Sequence, residues 1–418
     1  MYKARGKRQE AIVQAMQVLP FAFCPLPFAF STCLVPTACF LVFASLSFAQ
    51  EPKPYAAIDH DAVSYNGPGR DTGHDLVGSE IRLGLLAPLA GPRQAEGEAL
   101  RGAAQMAVEE ENATALPGGR RMVLVTQDET GPWGQVSPQI VHLVFDDQAV
   151  ALITSADGDT AHLAEQVGNK VGVPILTLAS DPTTTEINLP WIFRLGPTDT
   201  MQAEAFAREI CQGRKLERVA LLAQNDHDGR VGGDEFERAA RAMRTTAPKR
   251  MTVESENSNR DALADELSGA QAVVIWSDAA TARGLLARVR EALPAAPVYL
   301  CRKAAQGDWS AFRRPRCRTC KASDGGIWTT QAAGSKSAAS EAFTDRYRQR
   351  FGAEPGMGAA EAYDAVRVLA ASIRQSGANR ARLRDALAGV SAYAGASGVI
   401  SFDHAGNDLT PTTLLRVE

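Results

Sequence analysis

An alternation along the chain limits what it can fold into more than any other feature. Short apolar runs at 81–86, 122–126, 149–153, 174–178, 219–223, 272–276, 298–300 and 327–329 are separated by longer amphipathic segments. Several runs are continuously apolar, as strands buried on both faces of a parallel sheet must be. The segment 98–112 places Leu100, Ala103, Ala104, Ala107 and Val108 on one helical face. Segments 161–171, 200–211, 232–243, 279–293, 338–351, 359–376 and 380–389 read the same way. Strands alternating with helices predict βαβ units, hence an α/β fold with parallel sheets. One sheet holding every strand would be unusually wide, so two doubly wound lobes are expected. Ligands of such sheets bind beyond the carboxyl ends of the strands, so the loops after the apolar runs are the ones to search.

The N-terminal part is of another kind. Lys3, Arg5, Lys7 and Arg8 precede an apolar stretch over 18–48 that ends in Ser47-Phe48-Ala49. A basic start, an apolar middle and small residues before the cut predict a secretory signal peptide over 1–49. The stretch is also long enough for an uncleaved membrane anchor, although Pro20, Pro25, Pro27 and Pro36 interrupt it. Residues 50–79 are rich in Gly, Pro, Asp and His, lack periodicity, and read as an irregular arm. The 418-residue chain has a formal charge of −4, and without the leader 40 basic residues face 47 acidic ones. A mildly acidic body does not suit nucleic acid, which needs a basic surface.

Four cysteines follow the leader: Cys211, Cys301, Cys317 and Cys320. Export permits disulfides, and one involving the segment of Cys317 and Cys320 is expected, with the pairing open. Cys317-Arg-Thr-Cys320 has no second pair and no His nearby, so zinc is not expected there. His142, His162, His227 and His404 show no ligand spacing, and only His162 is expected near a cleft, where a capping or surface role serves it equally well. Nucleophile-elbow, H-E-x-x-H and phosphate-loop motifs are missing from the sequence. The reading is therefore of a chain that is not an enzyme, with no catalytic residue, metal or cofactor.

Five stretches resemble one known family. Ile81-Arg-Leu-Gly-Leu-Leu-Ala-Pro-Leu-Ala-Gly91 and the helix after it are similar to the opening strand and helix of type I periplasmic solute-binding proteins. More closely, they resemble the branched-chain amino-acid (Leu/Ile/Val) receptors of ABC transporters. Val171-Gly-Val-Pro-Ile-Leu-Thr-Leu-Ala-Ser-Asp-Pro182 resembles the strand and loop that hold ligand there. Trp191-Ile-Phe-Arg-Leu-Gly-Pro-Thr-Asp199 resembles the first crossover between lobes. Glu361-Ala-Tyr-Asp-Ala-Val366 and Ser397-Gly-Val-Ile-Ser-Phe-Asp403 resemble the C-terminal helix and final hairpin. The resemblance implies two Rossmann-like lobes joined by three crossovers: 80–198 with 332–390, and 199–331 with 391–418. It implies a periplasmic protein that closes around a small solute and passes it to an ABC permease in the inner membrane. The same fold can instead serve as a ligand sensor feeding a separate signalling partner.

The resemblance also places a site. Asp157, Gly158, Asp159 and Thr160 open a helix whose free NH groups suit an anion, but Asp157 stands where the family usually has Ser. Either Asp157 or Asp159 could equally be an N-cap. Ala179, Ser180 and Asp181 form the next loop, with Ser180 near the family's ligand-binding Thr. On the second lobe, Asp228 and Asp278 stand where the family has Tyr, and Arg302 falls, within a residue, where it has an ammonium-binding acid. A guanidinium there prefers a carboxylate or phosphate, or pairs internally with Asp228 or Asp278. Trp133 and Trp276 are candidate stacking or core residues. Together these departures predict a polar solute, an amino acid or related compound, rather than a plain branched-chain one.

Overall fold

The computed structural model describes residues 78–417 apart from 115, 187–188, 244–245, 255–259, 308, 310–311, 313–324 and 334–336. All of them belong to the unit Pro52–Glu418. The expected leader, nearly all of the arm, Cys317 and Cys320 lie outside the described residues. Cys211 and Cys301 are free thiols.

The apolar runs form two sheets, together with strands at 192–194, 249–253 and 412–416 that were not among them. The first holds β1 (Glu80–Ala87), β2 (Arg121–Asp128), β3 (Ala151–Thr154), β4 (Ile175–Thr177) and β5 (Ile192–Arg194), all parallel, in the order β2-β1-β3-β4-β5. The second holds β6 (Val219–Gln224), β7 (Lys249–Val253), β8 (Ala272–Trp276), β9 (Val298–Leu300) and β10 (Ile327–Ala332). Past a small hairpin of β11 (Tyr393–Ala394) and β12 (Val399–Ile400), β13 (Thr412–Arg416) returns antiparallel to β10 at the edge of that sheet. At the opposite edge lies β7. An edge strand needs no second buried face, which is why Lys249, Arg250 and Thr252 hide it from a search for apolar runs.

The helices follow the amphipathic segments: α1 (Gln94–Glu111), α2 (Trp133–Val141), α3 (Gly158–Val171), α4 (Thr183–Glu186), α5 (Asp199–Ala207), α6 (His227–Ala242), α7 (Arg260–Glu266), α8 (Ala279–Ala292), α9 (Ala338–Phe351), α10 (Ala359–Ser376) and α11 (Arg380–Ala388). The expected starts of α3 and α6 fall three and five residues late, because polar caps precede their apolar faces. Missing from the expected set are α2, which carries Pro138 in its interior, and the short α4 and α7. Each sheet has its own core. Leu83, Leu85, Ile153 and Leu176 pack with Ala104 and Ala107 of α1 and with Val366, Leu369 and Ile373 of α10. Leu221, Val274, Ile275 and Tyr299 pack with Phe206, Phe236 and Leu285. Each such side chain contributes about 1.5–3 kcal/mol by leaving water.

The chain passes from one sheet to the other after β5, after β10 and before β13. Residues 391–402 were assigned above to the second lobe, yet Ala396, Ile400 and Phe402 enter the core of the first sheet. Only β13 carries the C-terminal part back. The turn from β1 into α1 is tight: a Cβ at Gly97 would fall on the Pro88 carbonyl. Gly97→Ala should therefore cost about 1–3 kcal/mol through backbone displacement, read as a lower urea midpoint with an unchanged slope.

Candidate functional site

The loops beyond the strands of the two sheets meet, and charged residues from both sides fill the seam. On the first side, Asp157 is the N-cap of α3: its Oδ1 accepts the Thr160 NH at 3.0 Å. Its Oδ2 accepts from Arg93 at 2.9 Å and from the Lys303 ammonium at 3.2 Å. Lys303 follows β9 on the second side and also pairs closely with Asp228, in the first turn of α6. The Asp228 carboxylate in turn accepts the Gly158 NH at 3.4 Å. Gly158 is where the two sides touch, since a Cβ there would fall on Asp228. Burial alone would lower the Lys303 pKa, but Asp228 and Asp157 outweigh it and hold it well above its usual value. Burial likewise works against Asp157 ionisation, and Lys303 and Arg93 hold it well below the usual carboxylate range.

A second cross-seam pair joins Arg302 Nη2 to Glu361 of α10. The backbone NH of Arg302 donates to Gln202 Oε1 at 2.9 Å, and Gln202 Nε2 donates to Asp199 at 3.0 Å. Asp199 opens α5, and its NH donates to the Ser180 carbonyl at 2.7 Å. Burial pushes the Asp199 carboxyl up to about 8, so it is protonated at neutral pH. Behind the Ser180 loop sits Arg194, fully buried, donating to the carbonyls of Ala179 and Asp181 and to the hydroxyls of Thr184 and Thr185. A buried guanidinium with every donor engaged fixes that loop rigidly.

Between these pairs lies a cavity of about 20 Å³, walled by Leu100, Leu178, Leu195 and Met357 and tipped with Ser180, Arg302, Lys303 and Gln306. That is room for about one water, so a solute needs the seam to open. Arg302 and Glu361 also line an outer groove of about 850 Å³, so their ion pair stands between the two spaces. The Nη1 of Arg302 is buried and has no hydrogen-bond partner among the described residues.

The periplasmic binding protein family model matches residues 80–417. The chain belongs to that family. The Leu/Ile/Val-binding protein BraC3 of Rhizobium johnstonii is 26% identical over 72% of this chain and 81% of its own. The LivJ substrate-binding protein of Streptococcus pneumoniae, solved in complex with isoleucine, superposes with a TM-score of 0.69 at 20% identity, over 80% of this chain and 95% of that one. A solute-binding protein of R. palustris in complex with benzoate gives 0.71 at 18% identity, over 81% and 93%. The architecture is thus the type I periplasmic binding protein fold, with two lobes joined by three crossovers.

In this periplasmic binding protein, Ser180 and Arg302 are the two expected site residues that line the central cavity. Asp157 and Asp228 sit beside it as the two anions of Lys303. Gly158 and Thr160 spend their NH groups on Asp228 and Asp157. Ala179 gives its carbonyl to Arg194. Asp159 and Thr160 border a neighbouring surface pocket with Trp133 instead. Asp181 is buried and engaged by His162 and His227. Asp278 caps α8 and binds Gln224 at 3.0 Å, within the second lobe and away from the cavity. Trp276 is core, packed on Phe206 and under Gly232. Arg302 pairs with Glu361 rather than with Asp228 or Asp278. Sequence reasoning missed Lys303, Glu361, Arg93 and Gln202. Lys303 was one residue from the expected position; nothing local marked the others.

Two outcomes follow. Lys303→Met leaves the Asp228 carboxylate without its cation, facing an Asp157 that keeps only Arg93. A buried charge without its partner costs about 3–5 kcal/mol, and lobe separation relieves it. The radius of gyration in X-ray scattering should rise, with little change in the melting temperature. Asp199 holds its proton more tightly folded than unfolded, so its own contribution to stability should fall as pH rises from about 4 towards 8. Asp199→Asn should flatten that slope, measured as urea midpoints across the range.

Proposed function

We propose that this chain is the solute receptor of an ABC importer and that its cleft takes a small carboxylate with an apolar body, an amino acid or a related compound. The observation that carries the solute class is Arg302: a guanidinium at the cavity with one nitrogen unpartnered and the other held by a displaceable carboxylate. A bidentate carboxylate satisfies both nitrogens at once. The apolar wall of Leu100, Leu178, Leu195 and Met357 suits the rest of such a molecule. Isoleucine and benzoate, the solutes named for two similar structures, share that chemistry.

In this reading the first lobe is 80–198 completed by 332–402, the second is 199–331 completed by the C-terminal strand, and the solute enters when they part. The carboxylate displaces Glu361 from Arg302, joining the cavity to the space beyond it. Closure over the solute creates the surface an inner-membrane permease recognises, and the solute leaves chemically unaltered. Export through the leader over 1–49 belongs to the same reading. Among the described residues no helix is long and apolar enough to cross a membrane.

Isothermal titration against matched sets of carboxylates, their primary amides and the corresponding amines is the test. The carboxylates should bind, the amides at least about tenfold more weakly, and Arg302→Met should remove the difference. Equal affinity for acid and amide would refute the carboxylate reading, and turnover of any bound compound would refute the receptor reading.

A further inference from the structure

The seam holds a third cross-lobe contact that the solute reading does not use. His162 lies on α3 of the first lobe, Asp181 follows β4 of the same lobe, and His227 opens α6 of the second. His162 Nε2 stands 2.9 Å from Asp181 Oδ2, and His227 Nε2 stands 2.6 Å from the same oxygen. The three ligand atoms lie within 4.8 Å of one another. The imidazoles meet edge to face with centroids 5.3 Å apart, and the two Nε2 atoms converge on that one oxygen.

The surroundings fit a metal better than a chance cluster. Asp181 Oδ1 is taken by the Thr183 NH at 2.8 Å and the Thr183 hydroxyl at 2.7 Å, which aims Oδ2 at the histidines. Glu165 Oε2 lies 3.1 Å from His162 Nδ1. A carboxylate on the far nitrogen of a histidine is the usual support of a metal ligand, fixing its tautomer and ring orientation. Glu165 is 3% exposed, and its Oε1 has no hydrogen-bond partner among the described residues. The side chain of Asp181 is fully buried, whereas the histidines are 25% and 28% exposed, which leaves a path for an ion and for a completing water.

We infer that His162, Asp181 and His227 bind a divalent transition-metal ion of the zinc type, held from both lobes, with Glu165 supporting His162. Two imidazoles and one carboxylate plus water make a four-coordinate N/O site. Ligand atoms of such a site stand about 3.3 Å apart for metal–ligand bonds near 2.0–2.1 Å. The present contacts of 2.6 and 2.9 Å must lengthen by about 0.7 and 0.4 Å to reach it. The metal replaces the protons that now join each imidazole to Asp181, while the Nδ1 proton of His162 stays with Glu165. Because His227 comes from the other lobe, the metal favours the closed form by mass action.

The test uses the full exported chain after chelator treatment, without solute, so that its failure leaves the solute reading untouched. Zn2+ is titrated against a chromophoric competitor, and Co2+ is followed by its visible absorption. The expected result is one saturable site with a tetrahedral Co2+ spectrum and a smaller radius of gyration in X-ray scattering. Glu165→Gln should weaken binding about 10- to 100-fold, and His162→Ala and His227→Ala should weaken it further, with circular dichroism unchanged. The His227→Ala protein should also not compact with metal. Control variants His142→Ala and Cys317→Ser should bind as the wild type does. Absence of saturable binding by folded wild-type protein would overturn the inference. So would binding that survives loss of both histidines or disappears with either control variant, and so would binding without compaction.

Discussion

One buried ammonium organises the seam. Lys303 comes from the second lobe and is held between Asp157 of the first and Asp228 of its own. An ammonium so far from water is tolerable only with its anions in place, and the two carboxylates would repel each other without it. The lobes therefore meet in one register. Around that point, Asp157 caps α3 and takes Arg93, while Asp228 reaches the Gly158 NH. Charge, capping and lobe contact are solved by the same few atoms.

The neighbouring contacts share a design in which each lobe completes a polar group of the other. Arg302 reaches Glu361, and His227 reaches Asp181. None is an exposed pair of the kind that contributes little. Each is half-buried or deeper, so opening the seam exchanges the pairing of several charges for their hydration at once. A solute or ion that adds differential affinity can shift the equilibrium between closed and open. Rigidity comes from behind: Arg194 pins the loop of Ala179–Asp181 by its carbonyls, and Asn407 from the final crossover reaches both Arg194 and Thr185.

Much of the fold was legible. Runs such as 272–276 and 298–300 coincide with β8 and β9, because a strand buried on both faces has little room for polar residues. The helices α9 and α10 were bounded to the residue, since their apolar faces run their whole length. What escaped had a local reason. In α2 it was an interior Pro138, in β7 an edge strand's polar residues, and in 391–402 a hairpin assigned to one lobe that packs on the other. The site was legible only in outline. Asp157, Ser180 and Arg302 stand near the cleft because strand ends put them there, while Asp278 was given to a ligand and is in fact a cap.

By itself, then, the sequence determined the alternation of strands and helices, the doubling of the sheet and the loops that would face each other. These follow from periodicity and from solvent exclusion, which act over neighbouring residues. Which charge meets which was decided only by the tertiary structure. His162 and His227 lie 65 positions apart and share one carboxylate oxygen, and Arg302 and Glu361 are 59 apart. Pairings at that separation depend on how two rigid lobes settle against each other. Local pattern carries no record of that geometry.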